Sequence, residues 1–137
     1  MTYYEQVLKQ FVLSLVGFAV LDGLWLGLLM SEFYRRHLAP IARLKDGRLD
    51  PIWPVAALVY PTLAAGLTVF VLARAKSPAE ALALGAFFGL VSYGLYDLTN
   101  HATLREWPAI LTVVDMTWGA VICGGTAWMV AMITRSW

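Results

Sequence analysis

Apolar residues run through this chain in long unbroken blocks, not in the alternating or three-and-four spacing of a soluble fold. Four such blocks occupy 7–30, 54–73, 79–98 and 108–133 and carry almost no charge. Each reaches the roughly 20 residues that an α-helix needs to cross a hydrocarbon core. The pattern predicts an all-α, polytopic membrane protein, a four-transmembrane-helix bundle forming a single domain over 1–137. An even number of crossings places both termini on one side. The connections are too short for a soluble domain, a low-complexity linker or a nucleic-acid module.

The first block resembles a signal peptide only in its position. It is too long, contains Asp22 and lacks a small-residue cleavage site, so it is expected to be retained as an anchor. The first loop carries Arg35, Arg36, Arg43, Lys45 and Arg48, and the third adds Arg105. The other side carries Lys9, Arg74, Lys76 and Arg135. This bias places the first and third loops in the cytoplasm. Within the first loop, Phe33, Leu38, Ile41 and Leu44 alternate with basic residues, as in a short amphipathic segment lying along lipid headgroups, for which Arg35, Arg36 and Arg43 are the candidate contacts. Pro40 should interrupt it, and Asp46-Gly47 and Asp50-Pro51 supply turns.

Composition changes the picture at a few positions only. The chain is 60% hydrophobic and 14% charged, and its formal net charge of +1 gives no reason to expect a nucleic-acid partner. Cys123 is the one cysteine, so no intramolecular disulfide can form, and it is expected to be a small packing residue. Against this background Asp22, Asp97 and Asp115 stand out. An ionised side chain in hydrocarbon costs at least about 2.5–3.5 kcal/mol, so an intramembrane acid is expected to face a protein interior and marks a candidate site.

Depth and helical spacing draw these acids together. At 1.5 Å per residue, Asp22 and Asp115 lie roughly 10–12 Å inside the face that carries the first and third loops. Asp97 is near the end of the third block on that face, and Tyr60 of the second block lies at a comparable depth. Tyr93, Tyr96, Asp97, Asn100 and His101 fall on one helical stripe. The first and fourth blocks each contain Asp-x-x-Trp, as Asp22 to Trp25 and Asp115 to Trp118, putting acid and indole on one helix face. One polar pocket is therefore expected, lined by Asp22, Trp25, Tyr60, Tyr93, Tyr96, Asp97, Asn100, His101, Asp115 and Trp118. Gly23 with Gly27, Gly85 with Gly89, and Ala120 with Gly124 are small-residue pairs suited to close helix packing, and the Gly23 and Gly27 pair would bring Asp22 inward. Pro61 inside the second block removes a hydrogen bond to the carbonyl of Ala57 and predicts a kink.

The acids admit several roles. They could hydrogen-bond across helices to Tyr, Trp, Thr112 or Thr117, although such bonds average only about 0.6 kcal/mol in membranes. They could line a ligand or catalytic pocket, or carry protons for transport. Two histidines, His37 and His101, are too few for a membrane di-iron enzyme. A metal held by Asp97, His101 and Asp115 is only weakly signalled, so neither metal nor cofactor is expected. An intramembrane aspartyl protease would need further motifs that the chain lacks.

Leu21-Asp22-x-x-Trp25-Leu26-Gly27, Phe33-Tyr34-Arg35-Arg36, Gly94-x-Tyr96-Asp97-Leu98-Thr99-Asn100, Trp107-Pro108 and Thr112-Val113-Val114-Asp115-x-x-Trp118-Gly119 together resemble the bacterial membrane-protein family called domain of unknown function 2177. The resemblance spans almost the whole chain and implies a small multi-pass protein of the bacterial inner membrane without assigning an activity. It also implies a setting in membrane-lipid modification or stress response. Three functions are then in view. The pocket binds a lipid, isoprenoid or other small amphiphile; the chain is a small proton-coupled transporter formed by dimerisation; or it is an accessory subunit of a larger membrane complex. The expected partners are membrane lipids, an amphiphilic ligand, and a second copy or a larger complex.

Overall fold

A computed structural model describes residues 1–134, so Arg135 of the basic-residue comparison lies outside the described residues. Helix α1 (Tyr3–Leu24) continues as a π-helical segment over Trp25–Leu29. A short α2 (Ser31–Leu38) and a two-strand hairpin, β1 (Leu44–Lys45) and β2 (Arg48–Leu49), make up the first loop. Then come α3 (Trp53–Gly66), extended by a π-helical segment over Leu67–Leu72, α4 (Pro78–Thr103) and α5 (Ala109–Thr134). Four helical stretches are long and apolar enough to cross a membrane: Tyr3–Leu29, Trp53–Leu72, Pro78–Thr103 and Ala109–Thr134.

Local chemistry sets the ends of these elements. Thr2 and Glu5 form a reciprocal capping box at the start of α1. Ser77 caps α4 by accepting from the Glu80 N–H, and Pro78 occupies the first turn, where a missing N–H does no harm. Helix α2 ends at Leu38, with Ala39 still in helical geometry as its cap, and Pro40 follows without an N–H to extend the ladder. In the hairpin, Leu44 pairs with Leu49 and Lys45 with Arg48. The turn between them needs positive φ at both central residues, which Asp46 (51°) and Gly47 (74°) supply.

The closest packing is between α4 and α5. A Cβ added at Gly89 would stand 1.8 Å from the Gly119 carbonyl oxygen, and one at Gly85 would stand 2.7 Å from that of Cys123. The two backbones therefore touch, with Gly124 received opposite Leu82 and Ala86. Gly23 and Gly27 behave otherwise: a Cβ at either meets nothing within 4 Å. Asp22 is not drawn in by that pair. It belongs to a different stripe of α1, in which Gln10, Ser14, Phe18 and Asp22 are buried at four-residue spacing. At the far end of this stripe the Gln10 amide donates to the Thr134 hydroxyl at 3.3 Å.

Helix α3 divides at Pro61. Beyond the proline, Ala64, Leu67, Thr68, Val71 and Leu72 are buried against the bundle. Before it, Trp53, Val55, Leu58 and Val59 are exposed. The half of α3 nearest the first loop thus stands clear of the core, and clefts open on both sides of it.

Candidate functional site

The two Asp-x-x-Trp motifs are exchanged between helices. The Trp118 indole N–H of α5 donates to Oδ1 of Asp22 on α1 at 2.9 Å, and the Tyr60 hydroxyl of α3 donates to Oδ2 at 2.8 Å. In return, the Trp25 N–H donates to the Tyr34 hydroxyl at 3.1 Å, and Tyr34 donates to Oδ1 of Asp115. The two indoles lie flat against each other, with centroids 4.2 Å apart and planes 4° from parallel. Each acid is thus served by the opposite motif, and the stacked indoles join the halves into one network.

The three acids are not equivalent. Asp22 is 9% exposed and receives two hydrogen bonds from neutral donors. Asp115 receives one, from Tyr34. Asp97 is fully buried, and among the described residues no donor reaches either of its oxygens. The polar group beside Asp97 is the carboxyl of Asp115. A bare carboxylate in such a place has neither water nor a dipole to stabilise it, so Asp97 is suited to carrying a proton of its own and directing it at Asp115. Among the described residues the ion pairs are those of Glu32 with Arg35 and Arg36, far out on α2, and no cation is paired with any of these acids.

Tyr34 is the member of this network that did not stand out from the sequence. It is the buried residue of α2 and packs with Trp107, Leu111, Trp25, Met30, Phe33 and Leu38. Burial, followed by the neighbouring Asp115 carboxylate, pushes its phenol pKa up, so it remains a donor across the physiological range. Met30, Tyr34 and Leu38 recur every four residues. That spacing marks the inward side once the segment is treated as a helix.

The other candidate residues divide between walls and supports. Tyr93 lies over Gly119, where a Cβ would stand 2.4 Å from its ring. Tyr96 is 60% exposed and meets Trp107 edge-on at 5.8 Å, with Asn100 one turn on beside it. His101 is exposed, and its Nδ1 is 3.4 Å from the Thr112 hydroxyl, which also accepts from the Trp107 N–H at 3.0 Å. Thr117 bonds back to the Val113 carbonyl. Neither threonine therefore serves the acids. Among the described residues no three His, Cys, Asp or Glu side chains gather at a spacing that would hold a metal ion.

Two clefts flank the free half of α3. One, of about 870 Å³, is lined by Asp22 and Tyr60, by Arg43 and Leu49 of the first loop, and by Pro51, Ile52, Trp53, Val55, Ala56, Ala57 and Val59. The other, of about 740 Å³, is lined by Leu58, Leu63, Phe88, Ser92, Tyr93, Tyr96 and Asp115. Leu26, Val55 and Val59 border both. The ten candidate residues are therefore not gathered into one chamber: Asp22 and Asp115 open to different clefts, while Trp25, Trp118 and Asp97 line neither. Arg35 and Arg36 are held by Glu32 with contacts of 2.7 Å, whereas Arg43 faces the first cleft.

The model of a family described as predicted membrane protein (DUF2177) matches residues 7–132. The chain belongs to that family. The match spans every element that carries the network, from Asp22 to Trp118. No curated protein and no solved structure matches the chain. Its DUF2177 membership makes it a multi-pass membrane protein.

Proposed function

We propose that this protein holds a single-headed amphiphile in the paired clefts beside α3, its head in the Asp22 cleft and its chain crossing Leu26, Val55 and Val59. The observation that carries this reading is the presence of Arg43, Asp22 and Tyr60 together on the lining of one otherwise apolar cleft. A guanidinium donates, and a carboxylate whose two oxygens each have one donor still has acceptor capacity. The head best matched to both is one that accepts and donates, such as a phosphate monoester or a hydroxyl. The rest of the lining is aliphatic or aromatic, as expected where a chain supplies the binding area.

Native mass spectrometry of the protein released from phosphatidylcholine vesicles containing a minor fraction of phosphatidic acid tests this. The wild-type chain should retain phosphatidic acid selectively. Arg43→Ala should reduce retention about tenfold, the equivalent of one charge-assisted contact of about 1.4 kcal/mol. Asp22→Asn should alter the preference between heads that do and do not carry a donor. Retention unchanged in both variants would remove the clefts as the binding site.

A further inference from the structure

The second cleft differs from the first in chemistry. Apart from the phenols of Tyr93 and Tyr96, the polar side chains on its wall are Thr62, Ser92 and Asp115. The Thr62 hydroxyl donates to the Leu58 carbonyl and that of Ser92 to the Phe88 carbonyl, so both are occupied within their own helices. Asp115 is thus an acid presented to an apolar, aromatic-walled space. Next to it is Asp97, fully buried and, among the described residues, without a donor; its carboxyl interacts with that of Asp115 and does not itself line the cleft. An arrangement for water activation between two acids would expose both to the bound substrate. Here one acid faces the cleft and the other does not, as suits a proton donor with a reserve.

We propose that Asp115 is a general acid and base that moves a proton on an unsaturated lipid chain lying in this cleft, with Asp97 as its positioning residue. The substrate class is a chain with a trisubstituted carbon–carbon double bond, because a carboxylic acid protonates an alkene only where the resulting cation is tertiary and stabilised. Phe88, Tyr93 and Tyr96 offer the aromatic faces that attract such a charge. In the step, the O–H bond of Asp115 breaks and the π pair forms a C–H bond at the less substituted carbon. A C–H bond on the far side of the cationic carbon then breaks, its electron pair becomes the new double bond, and its proton goes to the Asp115 carboxylate. The net change is migration of the double bond, with no oxidant, reductant or other co-reactant. While the cation exists, Asp97 shares its proton with Asp115 and Tyr34 donates to it, which keeps the carboxylate solvated without water.

This inference rests on an amphiphile occupying the clefts, and one probe separates the two. The full chain is reconstituted in saturated phosphatidylcholine vesicles in D2O with geranylgeranyl phosphate, whose head is of the same class as that of phosphatidic acid. Deuterium in the recovered chain is read by mass spectrometry, and binding is read separately by native mass spectrometry. Wild-type protein should raise deuterium uptake well above protein-free vesicles. Asp115→Asn, which keeps an acceptor for Tyr34, should lower the uptake at least tenfold with binding retained, and Asp115→Glu should restore part of it. Asp97→Asn should displace the pH profile of uptake, and Asp97→Glu should return it, a response that loss of packing alone does not produce. Bound probe without deuterium uptake overturns the acid–base role and leaves the binding site standing. Absence of both binding and uptake overturns both.

Discussion

At the scale of single residues, the network is held by few bonds whose individual worth is small. Trp118→Phe keeps an aromatic ring against Trp25 but removes one of the two donors to Asp22. Hydrogen bonds inside membranes average about 0.6 kcal/mol and reach about 1.7, so a loss within that range is expected in reversible unfolding in bicelles. Tyr60→Phe removes the other donor and alone should cost a similar amount. The double variant should cost more than the sum, because Asp22 then has no donor and faces the penalty of an unsolvated acid. Strict additivity would mean that Asp22 is already solvated by other means. On α2 the residues follow a different rule. Hydrogen bonds from Arg35 and then Arg36 hold the Glu32 carboxyl below its ordinary 4.5. A lowered acid stabilises the folded state above its unfolded value and loses that contribution as pH falls through the folded one. Hydrogen-exchange protection of α2 should therefore weaken only on acidification below about pH 4.5, modestly because the pair is exposed, and Glu32→Gln should abolish the pH dependence.

At the scale of elements, small residues do opposite things in sequences that look alike. Gly89→Ala drives a methyl group toward the Gly119 carbonyl oxygen at 1.8 Å, so α4 and α5 must separate, and overpacking of this kind costs about 1–3 kcal/mol. Gly23→Ala meets open space within a helix and should be neutral or stabilising by about 0.4–1 kcal/mol. Thermal unfolding of the two variants in one detergent checks the contrast, and equal destabilisation would contradict the packing. Both pairs have the same spacing, and that spacing states that close approach is allowed without naming the neighbour. The Asp-x-x-Trp motifs were legible in the same partial way. Periodicity placed acid and indole on one face, but the exchange of indoles between helices depends on how α1 and α5 meet. Tyr34 was hidden for a related reason, since what a loop helix packs against depends on how the main helices are arranged. Block length, by contrast, is a local property, and it made all four crossings readable.

At the scale of the whole molecule, the network gives the bundle two unlike ends. The end bearing the first loop holds the acids, the stacked indoles and both clefts, with Arg43 on the lining of one of them. At the opposite end the Gln10 amide donates to the Thr134 hydroxyl. Which leaflet the clefts face therefore depends on orientation alone. Five of the basic residues lie in the first loop and a sixth, Arg105, in the third, against Lys9, Arg74 and Lys76 among the described residues at the other end. Short basic loops are retained in the cytoplasm, so the clefts should open to the inner leaflet. Cys123 is buried, so single cysteines introduced at the surface can be labelled against a silent background. In intact cells producing the protein, a membrane-impermeant maleimide should label Lys76→Cys and leave Lys45→Cys unlabelled until the cells are opened. The reverse pattern would turn the clefts toward the outer leaflet. The amphiphile proposed for them would then have to enter from that leaflet.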